Sequence, residues 1–316
     1  KYFAIRKKIL KLEELHMYDC SVPLVKDIRW NVGYAEAVET ISAALLPLGE
    51  NYIRTVRSGL IEERWVDRYE NIGKRSGAYS SGCYDSPPYI LLNYRDDNIN
   101  SVYTLAHEAG HSMHSLKSRG KQEYLYADYT IFVAEVASTF NEALLTRHLL
   151  KERTDKEMQI YLICREIDNF RGTLYRQTMF AEFEREIYRA GEQGEPLTVE
   201  FFTSTYKKLL QLYFGSGVVL DEALDLECFR IPHFYFSFYV YKYATGIAAA
   251  YSLADRVTQG GEAELNAYLN FLESGGSKYP IDLLKSAGVD MTSPMPVQTA
   301  LDTFTDLVNQ LDILTA

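Results

Sequence analysis

Two histidines four residues apart bracket a glutamate in the run His107-Glu108-Ala109-Gly110-His111. Each residue of an α-helix turns about 100°, so positions i and i+4 lie on one face, one turn apart. Both imidazoles can then face a single metal ion, with the Glu108 carboxylate beside them and within reach of a water. Two nitrogen ligands plus a general base are what a zinc hydrolase requires. The chain has six histidines, and at that composition a chance match is on the order of one per cent. A plain solvated helix is the competing explanation. Against it, the stretch Val102-Tyr103-Thr104-Leu105-Ala106 is largely apolar and leads into an interior. A mid-helix glycine costs about 1 kcal/mol relative to alanine, so a close backbone approach is expected at Gly110. His114, three residues past His111, shares its face only in part; packing or support of the ligands is expected of it.

Catalytic zinc takes three protein ligands and leaves one position open. The third is expected from a second helix packed on the first. Residues 129–145 read as that helix, with Phe132, Val136, Phe140 and Leu144 at helical spacing. Glu135 stands in an apolar run, where an unpaired carboxylate is costly and a metal ion would satisfy it. Glu142, two turns on and nearer the polar end, is the competing ligand or a partner of the ligands.

Longer motifs surround these residues. They include Lys74-Arg-Ser-Gly-Ala-Tyr-Ser-Ser-Gly, Pro88-Tyr-Ile-Leu-Leu-Asn, Phe132-Val-Ala-Glu-Val-Ala-Ser-Thr and Phe170-Arg-Gly-Thr. Arg176-Gln-Thr-Met-Phe-Ala-Glu-Phe-Glu, Ile231-Pro-His-Phe-Tyr, Phe238-Tyr-Val-Tyr-Lys-Tyr-Ala-Thr-Gly, Tyr279-Pro-Ile-Asp and Ala287-Gly-Val-Asp-Met follow in order. Together with His107-Glu-Ala-Gly-His, this series resembles the oligoendopeptidase F group of the thimet-oligopeptidase family over nearly the whole chain. The resemblance implies a zinc metallopeptidase that acts on short peptides, with its site deep in a channel between two largely helical lobes. It places the zinc ligands on His107, His111 and Glu135 and the general base on Glu108. Members of the family are about twice as long. The chain therefore reads as the C-terminal catalytic part of a longer protein: a helical segment over 1–72, then a catalytic domain over 73–316. The N-terminal half of the family fold is expected to be missing, and that lobe is a possible partner.

Composition fits such an enzyme. Hydrophobic residues make up 47% of the chain, ample for a core, and the formal charge of −10 with interspersed Lys and Arg argues against a nucleic-acid partner. Cys20, Cys83, Cys164 and Cys228 are far apart with no CxxC pair, so they are expected to be buried thiols in a reducing, cytoplasmic setting. A mainly α, zincin-like fold is expected. Helices are read near 34–58, 60–70, 98–118, 129–151, 155–190, 198–213, 234–256, 261–273, 280–286 and 297–313. The exception is a small hairpin, Gly77 to Gly82 and Tyr89 to Asn93, split by the turn signal Asp85-Ser-Pro-Pro88. Its edge can pair with an extended peptide, and with the resemblance Gly77, Ala78 and Tyr79 become candidate substrate contacts.

Residues 231–254 are nearly uncharged, yet His233, Lys242 and the tyrosines make a poor hydrocarbon-facing surface. A buried helix beside a cleft is expected, and no membrane partner. Peptide hydrolysis needs positioned donors for a tetrahedral oxyanion, and the family places a histidine and tyrosines of this region there. His233 and Tyr239 are assigned that role by resemblance, Tyr241 is their catalytic neighbour, and Tyr235 is a substrate contact. Gly215-Ser-Gly217 reads equally as a mobile loop or a plain turn. The reaction expected is zinc-dependent cleavage of internal peptide bonds by an activated water. The alternatives are a zincin exopeptidase, such as a metallocarboxypeptidase or aminopeptidase, and a non-catalytic, metal-stabilised peptide-binding protein. No Gly-x-Met-Glu-Asn segment for a free amine is present.

Overall fold

The fold is that of a computed structural model, which describes residues 1–316 except 26, 27 and 29. It is mainly α with one small sheet. Two compact units divide it: residues 28–154 with 245–302, and residues 1–27 with 155–244 and 303–316. Both are discontinuous in sequence.

The first of these units is built around a helical hairpin. Helix α4 (Ile99–Lys121) starts where the Asn98 side chain accepts from the Asn100 amide, and ends with Arg119 and Lys121 near its negative pole. Helix α5 (Ile131–Glu152) returns against it. Leu105, Phe140 and Leu145 are fully buried in this unit, each worth about 1.5–3 kcal/mol relative to exposure. Polar ties lock the register: Tyr103 Oη lies 3.1 Å from Thr146 Oγ1, and Asn141 Nδ2 donates to the Ala106 carbonyl at 3.0 Å. Gly110 meets the expected close approach. A Cβ there would lie 2.6 Å from both the Ala137 carbonyl oxygen and the Ser138 Cα, so only glycine lets the two backbones touch. Phe140 stacks on Tyr268 of α10 (Glu262–Leu272), ring centroids 4.1 Å apart.

Ahead of this hairpin lie α2 (Tyr34–Ala44) and α3 (Glu50–Ile61). They replace the single helix expected over 34–58. Pro47 sits in the intervening 3-10 turn, and Gly49 takes φ 86, which breaks the α-ladder. The expected helix over 60–70 is absent. The chain leaves α3 at Ile61, turns through Arg64 at φ 58, and enters strand β1 (Val66–Asp67). Trp65 drives this turn by packing on Gly59, where a Cβ would come within 2.3 Å of the indole. The expected hairpin forms as β2 (Tyr79–Ser81) and β3 (Tyr89–Leu91), antiparallel, with Ser80 opposite Ile90. Strand β1 adds parallel to β3, so the sheet order is β1-β3-β2 and β2 is an edge.

In the other unit, an N-terminal helix that sequence periodicity did not announce, α1 (Tyr2–Leu10), ends at a left-handed Lys11. The helix expected over 155–190 is three segments: α6 (Lys156–Phe170), a π-helical turn over Arg171–Tyr175, and α7 (Arg176–Glu192). Helix α8 (Val199–Phe214) ends at Gly215, φ 66, so the Gly215–Gly217 segment is a short 3-10 turn. Met179, Phe180, Phe183, Tyr206, Leu210, Cys228, Ile231 and Val240 form its buried cluster.

Helix α9 (Tyr241–Gln259) begins seven residues later than the expected 234, while α11 (Pro280–Ser286) and α12 (Met295–Leu314) fall where expected. No helix among the described residues is long and apolar enough to cross a membrane. All four cysteines are free; Cys20 and Cys228 are buried, but Cys164 is half-buried and Cys83 exposed. The expectation of four buried thiols is corrected there, because Cys83 lies in the turn between β2 and β3.

Candidate functional site

The i, i+4 geometry of α4 puts His107 and His111 on the face toward α5, and Glu135 comes to them from the first turns of α5. His107 Nε2 lies 3.2 Å from His111 Nε2. Glu135 Oε2 lies 3.3 Å from the first nitrogen and 3.5 Å from the second. A tetrahedral zinc ion with bonds of about 2.0–2.1 Å separates its ligand atoms by about 3.3 Å. The three atoms therefore already stand at the spacing such an ion imposes, and they form a group able to hold a metal.

The electrostatics point the same way. Burial pulls the His107 pKa down, but hydrogen bonds to Glu135 and Glu142 outweigh it and lift the imidazole to about 10. Burial pushes Glu135 up, yet the hydrogen bonds from the two histidines prevail and hold its carboxyl well below the usual range. Three carboxylates, Glu108, Glu135 and Glu142, thus face two imidazoles, an excess of acidic groups that a divalent cation would balance. Glu142 lies outside the group of His107, His111 and Glu135. It accepts from His107 Nδ1 at 2.7 Å, the carboxylate–histidine tie that fixes ring orientation in metal sites. Ser138, not singled out from sequence, reaches the Glu135 Oε2 at 3.1 Å. His114 is fully buried, stacked on Tyr129 at 3.6 Å and packed by Phe271, away from the ligand group.

Glu108 is buried beside the ligands, and burial raises its pKa, partly countered by His107 and His111. Its carboxylate accepts from the Ser80 amide, while Oε2 is buried with no partner. The carboxylate is anchored at the Ser80 amide and keeps one oxygen free of protein partners. Ser80 also binds α4 through its hydroxyl, 2.8 Å from Ser112 Oγ, so edge strand β2 is fastened against the histidine helix. Gly77 takes φ 92 ahead of β2, and its carbonyl accepts from Asn93 Nδ2 at 3.0 Å. Ala78 is half-buried and Tyr79 exposed. Ser80 and Ser138 escaped notice because nothing in a serine's local sequence marks a contact 28 residues away or a tie to a ligand.

The sequence profile of peptidase family M3 matches residues 1–303. The chain belongs to peptidase family M3. Among curated M3 relatives, it is 50% identical over 314 residues to oligopeptidase PepF of Bacillus subtilis, covering 99% of this chain and 47% of that protein. Oligoendopeptidase F of Lactococcus lactis subsp. cremoris (chromosomal) is 42% identical, with 99% and 52% covered. Among solved structures, a peptidase from Chlamydophila abortus superposes with a TM-score of 0.91 at 46% identity, covering 99% of this chain and 52% of that one. Oligoendopeptidase-F from Enterococcus faecium gives 0.76 at 34%, with 99% and 49% covered. The chain spans about half the length of the curated relatives it matches. These matches accord with the family expected from the motifs.

The aromatic M3 segment after Ile231 belongs to the unit of α6 to α8. His233 lies in a 3-10 turn (Pro232–Tyr235), not in a helix, which corrects the expected start of α9. The rings of His233 and Tyr239 are 5.7 Å apart, and Tyr243 joins them, its Oη 3.5 Å from His233 Nε2. Lys242 Nζ lies 4.9 Å from the Tyr239 ring and 5.8 Å from that of Tyr241. Tyr235 is 84% exposed and stands apart from this cluster. Tyr243 was overlooked because one tyrosine among 25 carries no local mark of its neighbours.

Proposed function

We propose that this chain is the metal-bearing part of a zinc-dependent oligoendopeptidase that cleaves internal bonds of short peptides. The observation that carries the reading is the 3.2–3.5 Å spacing of the His107, His111 and Glu135 ligand atoms, with Glu108 buried beside them. His107, His111 and Glu135 would hold the ion, and Glu142 and Ser138 would hold His107 and Glu135 in place. A bound zinc ion would supply Lewis acidity, polarising a peptide carbonyl and acidifying water.

Glu108 removes the proton from the attacking water with its unpartnered oxygen and delivers it to the leaving amine. The Ser80 amide keeps that carboxylate aimed. Gly77, Ala78 and Tyr79, which lead into edge strand β2, would pair with the backbone of an extended peptide, conferring affinity with little side-chain selectivity. By resemblance, His233 and Tyr239 donate to the oxyanion, with Tyr241 beside them and Tyr235 contacting substrate. The free cysteines support a cytoplasmic setting, and the lobe present in longer relatives is the partner this part would work with.

The test uses the full-length protein and an internally quenched peptide blocked at both ends. Cleavage should stop with a chelator and return with zinc. Cleavage of free-ended peptides alone would point to an exopeptidase, and chelator-resistant cleavage would remove the metal from the reaction.

A further inference from the structure

The aromatic segment is gripped from one side by α7. Phe238 adopts a left-handed backbone with φ 52, a conformation that a bulky residue keeps only when its surroundings impose it. Its amide donates to Glu184 Oε1 at 2.5 Å. Glu184 is 2% exposed, and its second oxygen is buried without a partner. One turn along the same helix face, Tyr188 Oη lies 2.6 Å from Ser237 Oγ, and its ring lies 4.8 Å from that of Phe238. Two residues of α7 thus hold two consecutive residues of the segment, and the next residue in the chain is Tyr239. Glycine or asparagine would make such a turn unaided. Here an aromatic residue makes it, at the expense of a carboxylate taken out of water.

We propose that Glu184 and Tyr188 are positioning residues that keep Phe238 left-handed and so fix the direction in which Tyr239 presents its phenol. This rests on the reading of Tyr239 as an oxyanion donor. Reaction rates are sensitive to such aim: a misplacement of about 1 Å can cost about 10²-fold. The clamp acts on the transition state and leaves ground-state binding alone, so its signature is in kcat.

The experiment is a double-mutant cycle on the full-length zinc-loaded enzyme, with the doubly blocked peptide as substrate. Glu184→Leu should lower kcat about tenfold or more with KM changed less than about twofold. Glu184→Gln, whose carbonyl oxygen still accepts from the Phe238 amide, should recover most of the loss. In a Tyr239→Phe background, Glu184→Leu should cost nothing further. An equal loss in both backgrounds would mean that Glu184 acts independently of Tyr239; that overturns the proposal and leaves the role of Tyr239 standing. A Tyr239→Phe enzyme with unchanged kcat removes the reading of Tyr239, and this proposal with it. Should Glu184→Leu fail to fold, Tyr188→Phe with Ser237→Ala loosens the same turn nearer the surface. A loss of about two- to threefold in kcat, abolished by Tyr239→Phe, supports the clamp; no loss overturns it.

Discussion

The α4–α5 hairpin and the aromatic segment from His233 to Tyr243 reach order by opposite means. In the hairpin, two long helices press backbone to backbone at Gly110, and the ligand atoms fall into place because the helices do. Of the buried side-chain polar atoms of the hairpin, Glu108 Oε2, His114 Nδ1 and Asn141 Oδ1 are without a partner among the described residues. The aromatic segment has little regular structure and much exposed ring surface. Its shape comes from a few contacts to α7. The metal site we propose for the hairpin would demand fixed distances, which helix packing supplies. A group proposed to meet only a transient charge could be carried on a short strap, provided something aims it.

This contrast can be broken most directly at Glu108. Glu108→Gln should cut kcat by about 10²–10⁴-fold while metal content by elemental analysis is unchanged; a variant of near-normal rate would sink the general-base role. Tyr239→Phe should cost about 10²-fold in kcat, and a change confined to KM would recast Tyr239 as a ground-state binding residue. Glu142→Gln weakens the tie to His107 Nδ1 and should lower metal affinity about 10- to 100-fold, read by competition with a chelating dye. Gly110→Ala gains about 1 kcal/mol of helix propensity but forces a methyl into the α5 backbone. The net expectation is a loss of about 1–2 kcal/mol in unfolding free energy, together with weaker metal binding. A stabilised variant would show that the helices do not depend on this contact.

The smallest effect concerns His114, whose pKa burial and the nearby His111 pull down to about 3. The unfolded chain takes that proton near pH 6.5, above the folded value. Stability present at neutral pH is therefore lost as pH falls below about 6.5, and continues to fall toward about 3. Between pH 7 and 5.5 this single group should account for about 1 kcal/mol. His114→Phe should flatten that part of the urea-unfolding profile; an unchanged slope would mean other groups carry it.

The hairpin was legible because its information is local. The spacing of His107 and His111, the apolar run around Glu135 and the glycine at 110 all lie on two neighbouring helices. What was misread depends on distant partners. The segment 60–70 has helical spacing, yet Trp65 packing on Gly59 and the parallel pairing of β1 with β3 override it. Residues 234–240 look like the start of a helix, but Glu184, 54 residues upstream, captures the Phe238 amide. Ser80 anchors Glu108 across 28 residues of intervening chain. The π-helical turn at Arg171–Tyr175 left no sign in a stretch that reads as one continuous helix.

The touching backbones at Gly110 also act as a mechanical stop. The two helices cannot draw closer, so the cage they form has a minimum size set by main-chain atoms. If the proposed site holds zinc, a larger cation such as cadmium would have to part this packed hairpin. On the proposed reading the hairpin would gauge ionic radius, and a residue outside the ligand set would help to fix the selectivity.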